Sequence, residues 1–116
     1  LEAGRFATAE GAESIRESIM IILGTSKGER VMRPTFGCNI KELVFAPNNS
    51  ATANLISFYV KEALREWEPR IEEIKVAVTS DRLEPNKLDI HIDYQIKTSN
   101  SSDNLVYPFY LEKARP

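Results

Sequence analysis

Residues 88 to 97, LDIHIDYQIK, alternate apolar and polar side chains without a break. Successive side chains of an extended strand point to opposite faces, so this stretch specifies a strand with one apolar face, Leu88, Ile90, Ile92, Tyr94 and Ile96, and one polar face. A strand wet on one side belongs to an antiparallel sheet covered on the other. Two further apolar alternations flank it: Ile74, Val76 and Val78 before, and Leu105, Tyr107, Phe109 and Leu111 after. The polar connectors, residues 80–86 and 98–104, predict a three-stranded meander. Pro108 has no amide hydrogen to give to a ladder and is expected on an edge strand.

The cover for the apolar face lies upstream. Ile15, Ile19, Ile22 and Leu23 fall on one side of a helix over residues 10 to 24, which Gly24 would close through a left-handed turn. Ala53, Ile56, Val60, Ala63, Leu64 and Trp67 repeat at three and four, predicting a second helix over residues 50 to 67. Asn49 or Ser50 caps it, and Pro69 ends it. Between the helices, Gly28, Pro34, Gly37 and Pro47 break any periodicity. Yet Val31, Met32, Phe36, Cys38, Ile40, Leu43, Val44 and Phe45 carry too much apolar surface for a disordered linker. An ordered loop is expected, with Val31, Met32 and Phe36 anchoring it to the core. The predicted class is therefore α+β: two main helices packed on one face of a three-stranded antiparallel sheet, with a long ordered loop between the helices. A chain of 116 residues has room for one core, so it is read as a single domain. It opens at Leu1 with no initiator methionine, and residues 1–9 are expected to be a flexible or truncated amino-terminal segment.

Several function classes are disfavoured by what the residues lack. Fifteen Lys and Arg against seventeen Asp and Glu leave a formal charge of -2, and neither sign forms a long run. Nucleic acid and anionic membranes both need a concentrated positive field, so neither is an expected partner. The apolar run at residues 19–23 is far short of a membrane span. Cys38 is alone, which fits a reducing compartment and a buried thiol. Cys38 and His91 are the only residues of their types and suggest no nucleophile–base pair. Asp89, His91 and Asp93 share a strand face but stand about 6.5–7 Å apart, and no metal is expected. In Gly24-Thr25-Ser26-Lys27-Gly28 the lysine precedes the second glycine, the wrong order for a phosphate loop. Glu29, Glu42, Glu68 and Glu84 lie in or near loops, but their spacing selects no acid–base pair. No cofactor is expected.

Two stretches stand out. Trp67-Glu68-Pro69-Arg70 puts an aromatic, a carboxylate and a guanidinium on a proline-stiffened corner, which is what a specific protein contact needs. GERVMRPTFGC, residues 28 to 38, sets Arg30 and Arg33 in a loop turned by glycines at both ends. One arginine is expected to brace a local carboxylate while the other faces a partner.

Together with the helix carrying Ile-Arg-Glu-Ser-Ile, these stretches resemble the baseplate assembly protein W family over roughly residues 12 to 111. That family comprises wedge proteins of contractile phage tails and a related subunit of type VI secretion baseplates. The resemblance implies a non-catalytic structural subunit that binds other baseplate wedge proteins and tail-sheath subunits and initiates the sheath by sharing strands. Its docking residues would be Glu68, Pro69 and Arg70; Trp67, Arg30 and Arg33 join them as partner-binding candidates on the reading of the two stretches given above. Replacing Glu68 or Arg70 by alanine is expected to leave the fold intact and abolish assembly. The implied location is a virion tail baseplate or an equivalent injection machine, assembled in the bacterial cytoplasm, and the isolated domain is expected to be monomeric. The family also carries a tail-lysozyme label, so a peptidoglycan glycoside hydrolase is the alternative reading.

Overall fold

The computed structural model describes residues 2–112, with side chains from residue 11 onward. Helix α1 spans Glu2–Gly24, starting further upstream than the apolar spacing indicates. Helix α2 spans Ser50–Trp67, and strands β1 (Ile71–Ser80), β2 (Lys87–Ile96) and β3 (Ser101–Tyr110) follow. The sheet has the order β1-β2-β3, with both pairings antiparallel, as the meander predicts. Ile15, Ile19, Ile22 and Leu23 of α1 and Ile56, Val60, Ala63 and Leu64 of α2 are buried in one core with the apolar face of β2. Burying each large aliphatic side chain contributes about 1.5–3 kcal/mol, so both helices and the sheet add to the stability of the core.

The helix ends are made by particular atoms. Asn49 caps α2, its Oδ1 accepting from the Thr52 amide at 2.9 Å, and such a cap contributes about 1 kcal/mol. Gly24 stops α1 where expected but without a left-handed turn. The positive φ values among glycines belong to Gly28 and Gly37. Instead, the Thr25 hydroxyl donates to Ile21 O at 2.7 Å and Lys41 Nζ donates to Gly24 O at 2.9 Å. These donors satisfy carbonyls that the helix end leaves without partners.

The sheet departs from the sequence reading in two places. β1 begins at Ile71, ahead of the clean alternation, because an irregularity between Glu72 and Lys75 shifts the register there and holds Glu73 at φ 51°. β3 begins at Ser101, although Ser101, Ser102, Asp103 and Asn104 look like a turn. The turn itself is tighter: Asn100 takes φ 54°, and its amide reaches Ile96 O at 2.8 Å. Asp103 then repays its place in a strand by accepting two hydrogen bonds from Arg16 of α1, at 3.0 and 2.7 Å. Tyr94 Oη adds a third at 3.3 Å.

The long connection between the helices is ordered by its own backbone. Cys38 N donates to Thr25 O at 2.8 Å, Gly28 N to Pro34 O at 2.6 Å and Phe36 N to Arg33 O at 3.0 Å. Glu29 closes the first turn, its carboxylate accepting from Ser26 N at 3.0 Å. A short 3-10 turn, Asn39–Leu43, leads towards α2 and buries Ile40. Cys38 is buried, as expected, and burial pushes its thiol up. Phe36 anchors the loop, but Val31 and Met32 do not: they are 92% and 90% exposed at its tip. Phe45 is 61% exposed. Apolar content correctly indicated order here, but the order comes from backbone pairing, which leaves the tip free to project.

Candidate partner-docking site

The proline corner is built from three elements. Helix α2 delivers Glu68, whose amide closes the last turn on Leu64 O at 2.9 Å. Pro69 turns the chain, and Arg70 folds back so that its Nε and Nη2 each donate to Glu68 at 2.8 Å, one to each carboxylate oxygen. The Arg70 amide adds a contact to Oε2 at 3.2 Å. Helix α1 completes the corner, with Ser14 Oγ accepting from Arg70 Nη1 at 3.1 Å and the Ser18 hydroxyl supporting Glu68. Burial alone would push the Glu68 carboxyl up. The hydrogen bonds from Arg70 and Ser18 and the charge of Arg70 outweigh it, holding Glu68 below the ordinary carboxylate range.

The division of labour within the tripeptide follows from exposure. The Glu68 side chain is 1% exposed and its carboxylate is committed inside the domain, so it cannot itself touch a partner. Pro69 is exposed, and the Arg70 side chain is 43% exposed. The expectation that either charge can be cut to alanine with the fold intact is therefore corrected. Losing Arg70 would strand a buried carboxylate, a change that typically costs about 3–5 kcal/mol.

The loop beside the corner is organised differently. Phe36 and Trp67 meet edge to face with centroids 5.1 Å apart. The Arg30 guanidinium lies 4.6 Å from the Phe36 centroid, and that of Arg33 lies 5.1 Å from the Trp67 centroid. Neither arginine has a carboxylate partner among the described residues, so the expected brace to a local acid is replaced by stacking on two rings. The structure thus joins Trp67 directly to Arg33 and, through Phe36, to Arg30. Trp67 Nε1 is buried with no hydrogen-bond partner among the described residues.

The sheet margins also differ. Hydrogen bonds from Leu111 N to Asn86 O, Lys97 N to Arg70 O and Asp81 N to Lys87 O, carried along the register, turn the backbone groups of Val76 and Val78 towards the outer margin of β1 and those of Ser102, Asn104, Val106, Pro108 and Tyr110 towards that of β3. On the β1 side, Ser57 of α2 donates to Val76 O at 3.3 Å. On the β3 side Pro108 has no amide hydrogen to offer, and Asn104 N is engaged by its neighbour Asp103 at 2.8 Å. Pro108 thus sits on an edge strand, as predicted.

Catalytic arrangements find little support in the geometry. Among the described residues, three carboxyl groups are displaced from their ordinary range, and all three move down: Glu68, Asp81 through the Leu83 and Glu84 amides, and Asp103 through Arg16. A glycosidase acid needs the opposite shift. His91 meets Thr79, Nε2 to Oγ1 at 3.0 Å, on the open sheet face. Among the described residues, no three acidic, histidine or cysteine side chains gather to hold a metal ion, and no helix is long and apolar enough to cross a membrane.

The model of the family described as baseplate wedge protein gp25 matches residues 9–101. Baseplate wedge protein gp25 of Enterobacteria phage T4 is 35% identical over 68 residues, covering 59% of this chain and 52% of that protein. The match therefore spans about half the length of that relative. A crystal structure from Geobacter sulfurreducens, described provisionally as a tail lysozyme, superposes with a TM-score of 0.82 at 50% identity, covering 90% of this chain and 95% of that one. A chain of the type VI secretion system baseplate complex shares the fold, with a TM-score of 0.66 at 14% identity over 97% of this chain and 100% of that one. The family match runs from α1 through the loop and the proline corner into the start of β3, and by it the chain belongs to the gp25 baseplate wedge family.

Proposed function

We propose that the chain is a non-catalytic wedge subunit of a contractile injection-system baseplate that docks on other wedge proteins through the Pro69–Arg70 corner. The observation that carries this reading is the fork between Arg70 and buried Glu68. It fixes a guanidinium beside a proline with its outer part exposed, so little ordering entropy remains to be lost on binding. Glu68 acts as the positioning group; Pro69, Arg70, Trp67, Arg30 and Arg33 face the partner. A strand from a tail-sheath subunit adds to the margin of β3, whose outward groups at Ser102, Val106 and Tyr110 are free of the ladder to β2. The isolated domain is monomeric, assembly takes place in the bacterial cytoplasm, and the final position is a tail baseplate or its equivalent. The alternative is a tail lysozyme, and the buried carboxylate of Glu68 does not fit its acid, because the Arg70 fork holds it ionised.

The test removes both charges together. Glu68→Gln with Arg70→Gln leaves no unpaired buried carboxylate, so the variant keeps its circular dichroism spectrum and a cooperative melt. It should lose co-purification with coexpressed wedge proteins by at least tenfold. Full assembly by the folded variant would refute the docking role. Clearing of purified cell wall by the wild-type chain, abolished by one carboxylate substitution, would restore the hydrolase reading.

A further inference from the structure

The loop tip combines features that a purely structural loop does not require. Val31 and Met32 stand almost fully in water, although the rest of the loop is pinned by backbone hydrogen bonds. On either side of them, Arg30 and Arg33 lie over the Phe36 and Trp67 rings. An aromatic ring offers a guanidinium charge and dispersion contacts but no lone-pair acceptor for its N–H fork. Among the described residues, no hydrogen bond or ion pair occupies those donors at either arginine. Three other cations of the chain are already engaged: Lys27 with Glu62 at 3.8 Å, Lys41 with Gly24 O and Arg70 with Glu68. The loop therefore presents two available cations and two exposed apolar side chains on a rigid stem.

We propose that the tip of the 28–37 loop is a receptor for an acidic segment of a neighbouring protein, in which Arg30 and Arg33 each take a carboxylate and Val31 and Met32 cover an apolar side chain between them. The inference rests on the reading of this chain as a docking subunit and adds the chemistry of one contact. Charge complementarity selects the occupant. Two planar forks match two carboxylates bidentately, and the apolar apex matches a side chain that a sugar–phosphate backbone lacks. A nucleic acid would need a longer track of unpaired cations to release enough counterions, and the chain carries a net charge of -2. Stacking holds the arginines in place before the partner arrives, which lowers the ordering cost of binding.

The probe is a ten-residue peptide with two glutamates flanking a leucine, compared with its glutamine twin and with a single-stranded oligonucleotide. Each is titrated into the full isotope-labelled chain while the arginine Nε–Hε resonances are followed. The glutamate peptide should move the Arg30 and Arg33 signals together with the Val31 and Met32 amides, and should bind at least tenfold more tightly than the twin. The R30Q/R33Q chain should remain folded and lose the binding. Absence of binding by the glutamate peptide, equal binding of the twin, undiminished binding to folded R30Q/R33Q, or stronger binding of the oligonucleotide would each overturn the proposal. The readout needs only the isolated chain, so its failure is separable from failure of the assembly assay at Glu68 and Arg70.

Discussion

The proline corner and the loop tip sit on either side of Trp67, and both present arginine, but they use it in opposite ways. At the corner Arg70 spends most of its donors inside the domain, on a carboxylate that is almost wholly buried. At the tip Arg30 and Arg33 rest against aromatic rings, and among the described residues no acceptor takes their donors. The first arrangement is a fastening that also shows an edge to solvent. The second is a display. Sequence proximity to a motif is therefore a poor guide to what a charge does; the desolvation of its partner decides.

The contrast breaks most visibly if the two kinds of arginine are equally dispensable. Arg70→Ala should destabilise the domain by about 3 kcal/mol or more, because it leaves Glu68 buried without compensation. Arg33→Ala should cost about 1 kcal/mol or less, the worth of an exposed cation–ring contact. Thermal or urea unfolding of the two variants measures the gap, and similar losses would remove the distinction.

The rigidity of the display depends on Gly37. It holds φ at 124°, and an added Cβ would run into the Thr25 carbonyl. Gly37→Ala should therefore lose about 2–3 kcal/mol and loosen the loop, seen as faster amide exchange at Gly28, Phe36 and Cys38. Unchanged stability would mean that the stem tolerates a different path.

Acid sharpens the comparison further. The folded Glu68 carboxyl titrates below its unfolded value near 4.5, so its contribution is complete above that value and is lost as pH falls through the folded pKa. Glu68→Gln should flatten the stability profile below about pH 4.5. Asp103, likewise lowered by Arg16, should keep a residual slope. Arg30→Gln with Arg33→Gln should leave the profile unchanged in shape. The smallest effect is expected at the ring between the two regions: Trp67→Phe removes the unpartnered indole donor while keeping a platform, and should change stability by less than about 1 kcal/mol.

Much of this molecule was legible in the residues. The unbroken alternation at 88–97 and the apolar stripes of both helices specified the sheet, its cover and the order of elements, because burial of one face imposes a period that survives in the sequence. The start of β3 was not legible, since Ser101 to Asn104 are turn residues by composition and enter the ladder through pairing and through the Arg16–Asp103 bond, 87 positions apart. The corner was recognisable as a motif, but its internal bond was not. Nothing in Glu68-Pro69-Arg70 shows that the guanidinium doubles back, and Ser14 and Ser18, which support it from α1, carry no signal of their own. The loop tip misled for the converse reason: Val31 and Met32 look like core residues, and only the closed backbone stem shows that they have nowhere to be buried.

Pro108 has a consequence for how such chains behave when crowded. A sheet with a helix bonded to one flank and a missing donor on the other is a poor template for copies of itself, since every added chain would meet a gap in the same place. Molecules held at high concentration should stay separate rather than polymerise, and accept an outside strand only in a register that passes the gap.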